Sequence, residues 1–216
     1  FWGVNLVMLY DLKWVGKTHN LSKQLLRGFA QAGSAVSFLV GLRTIAIADA
    51  TSIAFVAPLF VIILSYFFLK EPIGIRRWLA VIIGFSGTLI IIRPGFEIIN
   101  LGHVFIIIAA LLFAIRQIIS RLIASTDDPL TTAFFTAYTS VFIFVLFQPW
   151  VWTPITDKNH IFLFFVFAFL AGIAEFLVIK SLQIAQAVVV SPLQYTLLIW
   201  VTIFGFFIWG ILPDVW

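Results

Sequence analysis

Cysteine is absent from the chain, which excludes disulfides and thiolate metal sites. Charge is scarce as well: 10% of residues are Asp, Glu, Lys or Arg, where soluble domains carry about a quarter. The three histidines, His19, His103 and His160, lie far apart at the ends of apolar runs, and none has metal-ligand spacing. No Gly-x-Ser-x-Gly element and no phosphate-cradling glycine loop occurs. These absences leave no catalytic residue, metal or cofactor to assign, and the chain does not read as an enzyme. The formal net charge is +4 and the pI about 9.6. Basic residues nevertheless stand singly or in pairs between apolar runs. Without a dense basic stripe there is no footprint for nucleic acid, and membrane topology accounts better for the excess.

The sequence is instead rich in apolar and aromatic residues. Of the 216 residues, 62% are hydrophobic, 25 are Phe and 8 are Trp, and the mean hydropathy is +1.14. A soluble fold of this size has too little interior for such a load, so the excess must face lipid. A membrane-crossing helix needs about 20 mainly apolar residues. After a partial span at 1–10, seven stretches qualify: roughly 28–47, 50–69, 76–93, 101–122, 131–151, 161–180 and 186–211. Charge or helix-breaking chemistry separates them, as at Lys70-Glu71-Pro72, Arg93-Pro94-Gly95, Asp127-Asp128-Pro129 and Pro154 to His160. Runs such as Phe60 to Leu64 are apolar on every side, which argues against barrel strands and for helices that satisfy their own backbone. The connection Asp11–Arg27 reads as a solvated basic loop, or as a short surface helix with Leu21 and Leu25 towards lipid. Both ends look cut from a longer chain.

Lys and Arg fix the orientation. Assigned to alternate sides, one receives Lys13, Lys17, Lys23, Arg27, Lys70, Arg76, Arg77, Arg116, Arg121 and Lys180, the other only Arg43, Arg93 and Lys158. The first side is cytoplasmic by the positive-inside rule. Trp150, Trp152, Trp209 and Trp216 read as interfacial belt residues.

Two stretches echo each other. Leu42-Arg43-Thr44-Ile45-Ala46-Ile47-Ala48-Asp49-Ala50 leads to Pro58, and Ile179-Lys180-Ser181-Leu182-Gln183-Ile184-Ala185-Gln186-Ala187 leads to Pro192. By span order they lie on opposite membrane sides, as in inverted transporter repeats. The same residues resemble EamA-type members of the drug/metabolite transporter superfamily. Ala48-Asp49-Ala50-Thr51, Ala57-Pro58-Leu59-Phe60, Leu69-Lys70-Glu71-Pro72, Arg76-Arg77-Trp78, Gly84-Phe85-Ser86-Gly87 and Arg93-Pro94-Gly95 carry the resemblance. Ser191-Pro192-Leu193-Gln194-Tyr195 and Leu212-Pro213-Asp214-Val215-Trp216 extend it more loosely. The resemblance implies an all-α, polytopic bundle of two inverted five-helix repeats, here 1–95 and 96–216, lacking helix 1, most of helix 2, and helix 10. An acid that the family often places before its second Pro-Asp pair is replaced here by Gly210-Ile211-Leu212, so no role for it carries over.

A charge near a helix centre costs about 2.5–3.5 kcal/mol on insertion scales. Glu175, inside the sixth stretch at 161–180, is the deepest acid and the candidate for a proton or a cationic substrate group; a structural hydrogen bond to a neighbouring helix is the plainer account. Lys180 is off its face and snorkels. Arg116 and Gln117 lie one turn before Ser120 and Arg121, with Arg121 an interfacial anchor. Three polar stripes have helical spacing: Gln31, Ser34 and Gly41 with Phe38; Thr132, Thr136 and Thr139; and Ser191, Gln194, Tyr195 and Thr202. The threonines suit close helix packing. Gln194 and Tyr195 follow Pro192, which removes a backbone bond and can expose a carbonyl to a ligand. By the resemblance, the family's cavity implicates Gln31, Ser34, Phe60, Glu175, Tyr195 and Trp200. Pro58 and Pro192 are the hinge candidates, at equivalent points of the repeats. Glu71, Arg76 and Arg77 read as ordinary loop charge pairs.

The expectation is a secondary transporter in a bacterial inner membrane, moving a small organic metabolite by alternating access. The partners expected are that substrate and the bilayer, with a homodimer compatible. Relatives of this type carry amino acids, vitamins such as riboflavin, S-adenosylmethionine or drugs. The rivals are an intramembrane enzyme and a non-transporting helical subunit.

Overall fold

A computed structural model describes residues 18–92, 100–151 and 158–209, and among them every regular element is helical. The expectations for residues 1–10, Lys13, Lys17, Arg93-Pro94-Gly95, Trp152, Pro154, Gly210 to Leu212 and Trp216 fall outside these residues, as do those for the side chains of Trp150, Lys158, His160 and Trp209. The helices are α1 (Leu21–Gly41), α2 (Ile47–Ala54), α3 (Ala57–Leu64), α4 (Ile75–Ile92), α5 (Leu101–Ile123), α6 (Pro129–Val151), α7 (Lys158–Ile184), α8 (Ala187–Val190) and α9 (Thr196–Trp209). A π turn, Ser65–Leu69, extends α3, and a 3-10 turn, Ser191–Tyr195, joins α8 to α9. Among the described residues all seven expected spans are mainly helical, two of them in pieces. Five stretches among the described residues are long and apolar enough to cross a membrane: Asp49–Leu69, Leu101–Ile123, Pro129–Gln148, Ile161–Ile184 and Ala187–Phe204. The protein is an integral membrane helical bundle.

Local chemistry sets several ends. Asn100 Oδ1 accepts from the Gly102 amide at 2.8 Å and starts α5. Asp128 Oδ1 accepts from the Leu130 amide at 2.8 Å, with Pro129 in the first helical position of α6, the usual cap-then-proline order. After the π turn, Lys70 takes a left-handed conformation (φ 53°, ψ 30°) and stops the helix.

The first span differs from expectation. Hydropathy places its start near residue 28, but α1 begins at Leu21, so residues 21–27 are helix and not loop. Lys23, Gln24 and Arg27 depress the hydropathy there, yet Gln24 and Arg27 are fully buried on polar partners. Leu21 and Leu25 do face outwards.

Described residues up to Gly33 form one compact unit with Ile119–Ala185, and Ser34–Ile118 forms a second with the residues from Gln186 onwards. Each unit draws on both halves of the chain. In the first, Gly28 lies so close to Thr139 that a Cβ would stand 2.8 Å from the Thr139 Cγ2. The small residue thus admits the threonine stripe of α6. Ala133 and Ile179 pack with Phe134. In the second unit, Ser34 Oγ donates to the Ala109 carbonyl at 2.8 Å, and Gly41 packs against Ile106. A larger cluster there joins Ile62, Val81, Val188 and Tyr195.

Inside each unit, contacts join chain segments that the Lys/Arg count puts on one membrane side. In the first, Asn20 Nδ2 donates to Thr126 Oγ1 at 2.8 Å and Gln183 Nε2 to the Asp127 carbonyl at 3.0 Å, all cytoplasmic. In the second, Asn100 Nδ2 donates to the Thr44 carbonyl at 3.3 Å on the opposite side. Outer surfaces are apolar: of the α7 span only 6% is buried, against 50% of α5, and Phe162, Phe164, Phe165 and Phe167 are exposed. Lipid is the solvent that tolerates such a face.

Candidate functional site

In the second unit, two helices are broken and the breaks touch. α2 ends at Ala54 and α3 restarts at Ala57, with Pro58 in its first turn. Across the gap the Leu59 amide, which in a continuous helix would bond to the Phe55 carbonyl, turns to the Val56 carbonyl at 2.9 Å. Proline has no amide to offer Ala54. The released Phe55 carbonyl accepts the Tyr195 hydroxyl at 3.0 Å, and the two rings stack with centroids 5.9 Å apart. Tyr195 closes the 3-10 turn after α8, so each broken helix stitches the other. Gly84 on α4 makes room for the Tyr195 ring.

The helix starts behind these breaks are alike. Ala46 before α2 (φ −64°, ψ 149°) and Gln186 before α8 (φ −63°, ψ 145°) share an extended conformation, and neither side chain caps its helix. Glu71 supplies the cap at α8: its Oε1 accepts from the Ala187 amide and its Oε2 from the Val188 amide, both at 3.3 Å. A carboxylate suits the positive end of a helix. Glu71 is buried, and Arg77 donates to the Pro72 carbonyl at 2.8 Å. Pro58 and Pro192 are not in register from these starts, lying 12 and 6 residues beyond Ala46 and Gln186.

A cavity of about 220 Å³ opens beside the first break, lined by Ser52, Val56, Phe60, Phe85 and Ile107 among others. Phe60, expected from the resemblance, lines it. Gln194 is half-buried and Trp200 is exposed. Arg116 is buried with its guanidinium over the Phe113 ring, 4.7 Å from the centroid.

The first unit holds a buried ion pair. Arg27 on α1 reaches three other segments: Nε donates to Ser120 Oγ at 2.6 Å, one terminal nitrogen donates to Thr136 Oγ1, and the other pairs with Glu175 Oε1 at 2.6 Å. The Arg27 side chain is 1% exposed and that of Glu175 15%. Glu175 thus has a counter-ion, on α1 and not on its own helix. Thr136 also donates to the Thr132 carbonyl at 2.8 Å, so one stripe both packs and holds a charge. Gln31 on the next turn of α1 is half-buried. In the turn between α5 and α6, Asp127 accepts from Thr18 Oγ1, from Gln24 Nε2 at 2.7 Å and from the His19 amide at 3.4 Å. Burial pushes its carboxyl up, but hydrogen bonds from Thr18, Gln24, His19 and Asn20 outweigh that and hold it below the ordinary carboxylate value. Arg121 donates to the Leu182 and Gln183 carbonyls at 2.9 and 3.3 Å, closing the end of α7.

Sequence reasoning missed Arg27, Phe55 and Asp127 as site-shaping residues. The Lys/Arg count treats Arg27 as cytoplasmic charge. Its one visible signal is helical spacing, since it lies on the Gln24–Gln31 face of α1. The role of Phe55 depends on a carbonyl, which no side-chain pattern reveals.

Comparison with known proteins agrees with this architecture. Over 99% of its length the chain is 28% identical to the S-adenosylmethionine uptake transporter of Rickettsia prowazekii, covering 74% of that protein. It is 26% identical to the riboflavin transporter of Vibrio cholerae, with 96% of this chain and 72% of that protein aligned. A solved crystal structure superposes with a TM-score of 0.73 at 19% identity, covering 88% of this chain and 69% of that one, a likeness of fold. Residues 2–93 and 100–216 match the EamA-like transporter family. A chain so matched, with long apolar helices among its described residues, moves a small metabolite across a membrane and belongs to the EamA-like transporter family.

Proposed function

We propose that the protein is a secondary transporter of the bacterial inner membrane that carries an amphipathic, ring-bearing metabolite by alternating access between two inverted repeats, 1–95 and 96–216. The single observation that carries this reading is the Arg27–Glu175 pair, a buried charge couple on two membrane helices. Such groups in a membrane interior are expensive and mark substrate or ion paths. The broken helices α2–α3 and α8–α9, with Pro58 and Pro192 as hinges, supply the discontinuous segments on which transporters build binding sites. Gln31, Ser34, Phe60, Gln194, Tyr195 and Trp200 are the residues around which the substrate path is drawn. Similarity to transporters named for S-adenosylmethionine and riboflavin supports a substrate with a fused heteroaromatic ring. Phe60 and Phe85 in the cavity wall offer such a ring apolar contact. Glu175 is the carboxylate at which a coupling proton would arrive and dissolve the ion pair. No enzymatic step is invoked, and a homodimer is compatible with the exposed apolar faces.

The test is uptake by the full-length protein in proteoliposomes. S-adenosylmethionine and riboflavin are presented with and without a pH gradient, for the natural protein and Glu175→Gln. Uptake of one of them above empty liposomes is expected, together with loss of gradient dependence in the variant. Unchanged gradient dependence removes the proton role of Glu175. No movement of any solute removes the transporter reading in favour of a non-transporting subunit.

A further inference from the structure

In the second unit, the stretch 187–195, which comprises α8 and its 3-10 turn, is tied to the first broken span at both ends. At its start the Glu71 carboxylate accepts from the Ala187 and Val188 amides, both at 3.3 Å. At its end the Tyr195 hydroxyl donates to the Phe55 carbonyl at 3.0 Å. Phe55 lies ahead of α3, and Glu71 lies behind the π turn that extends it. One strap therefore runs the length of α3, and neither broken helix can shift alone without loosening a tie.

The two ties are unequal. Packing holds the Tyr195 end as well as its hydrogen bond does: the ring stacks on Phe55 and belongs to a buried cluster with Ile62, Val81 and Val188. The Leu59 amide, which would serve the Phe55 carbonyl in an unbroken helix, is engaged by Val56. The Glu71 end rests on two bonds longer than the usual range for an amide donor. Beside it stand two hydroxyls that bond to nothing among the described residues, Ser65 Oγ and Ser191 Oγ, on residues 0% and 2% exposed. Ser65 adjoins Glu71, because its carbonyl accepts the Glu71 amide at 3.4 Å. Ser191 lies one helical turn beyond Ala187 and Val188, on the same side of α8. A buried hydroxyl without a partner is costly and uncommon in a native fold. Two of them flanking one carboxylate share a physical account: they are donors to which that carboxylate turns in another conformation. A hydroxyl bond to a charged acceptor is among the stronger kinds.

We propose that residues 187–195 form a strap with a fixed end at Tyr195 and a release end at Glu71, whose carboxylate passes from the α8 amides to the Ser65 and Ser191 hydroxyls as the protein changes state. This rests on the transporter reading above and adds the element that times its conformational change. With Tyr195 holding, release at Glu71 frees the start of α8 while the two breaks stay joined. Pro58 and Pro192 then move together and not separately. Glu71, Ser65 and Ser191 are positioning residues, and none of them is asked to touch the substrate.

The experiment compares Ser65→Ala with Ser191→Ala, made together in the full-length protein, against the natural protein in proteoliposomes, with labelled S-adenosylmethionine and labelled riboflavin as tracers. The double variant leaves both observed ties intact and removes two unpartnered hydroxyls, so the melting midpoint in detergent should hold or rise. Uptake turnover should nevertheless fall about ten-fold or more, the scale of losing charge-assisted hydrogen bonds from one state of the cycle, with the half-saturating concentration within about two-fold of the natural one. A purely structural role moves stability and uptake together or moves neither. Unchanged turnover overturns the inference, as does a turnover loss that tracks a lowered midpoint. A second measurement needs no variant: hydrogen exchange at the Ala187 and Val188 amides of the natural protein, with the transported compound and without it. Exchange there should quicken while transport runs, with the amide of the buried Val81 on α4 unchanged. Slowed or unchanged exchange at Ala187 and Val188 during transport overturns the inference and leaves the transporter reading standing. Absence of uptake of both tracers by the natural protein overturns the transporter reading, and the inference with it.

Discussion

Tyr195→Phe isolates one atom at the meeting of the two broken helices. The ring remains, so stacking on Phe55 and packing against Ile62, Val81 and Val188 should persist. What is lost is the 3.0 Å hydrogen bond to the Phe55 carbonyl. That carbonyl cannot fall back on the helix, because the Leu59 amide is already engaged by Val56 at 2.9 Å. Tyr195 is 9% exposed, so water does not readily replace the hydroxyl. A buried acceptor left unsatisfied costs about 1–3 kcal/mol, more than the roughly 1 kcal/mol net worth of an average hydrogen bond. The expected loss is in that upper range, read as a lowered midpoint in detergent-solubilised unfolding monitored by tryptophan fluorescence. A change below about 0.5 kcal/mol would refute the reasoning, for it would mean that the Phe55 carbonyl finds another donor. Tyr195→Leu serves as the companion variant, and should cost clearly more because the ring goes too.

Three further outcomes follow from other contacts. Gly84→Ala places a Cβ against the Tyr195 ring, within 2.8 Å of its Cγ, and should destabilise by about 1–3 kcal/mol in the same unfolding assay. Glu71→Ala uncaps the Ala187 and Val188 amides and should cost about 1 kcal/mol, with faster hydrogen exchange at those two amides as the local signature. Asp127 has a carboxyl held below its ordinary value in the fold, so the unfolded chain binds its proton first as pH drops. Its contribution should be fully present at neutral pH and fade as pH falls below about 4, and Asp127→Asn should flatten that part of the stability-against-pH curve.

Hydropathy and helix breakers locate the apolar helical stretches among the described residues because lipid enforces them: an apolar run of span length has no other way to satisfy its backbone. They fail where burial is polar. The first two turns of α1 read as a basic loop because Lys23, Gln24 and Arg27 outweigh Leu21, Leu25 and Leu26. Their compensation comes from Asp127, Thr132, Thr136 and Glu175, more than 100 residues away. No local window contains both sides of that balance. The prolines announce the breaks but not their positions: α2 ends ahead of Pro58, because proline fits comfortably inside the first turn of the next helix. Glu175 was legible as costly, and its partner was not.

The near-nakedness of α7 sets a rule for how its sequence can drift. With 6% of its span enclosed by protein, most of its phenylalanines answer only to the requirement of being greasy, and leucine or isoleucine would serve the bilayer equally well. Glu175 interrupts this permissiveness. Random mutagenesis with growth selection should therefore leave a library in which the exposed phenylalanines of α7 vary freely while Glu175 and the enclosed Ile179 and Leu182 hold, and in which α5, half enclosed, tolerates few exchanges.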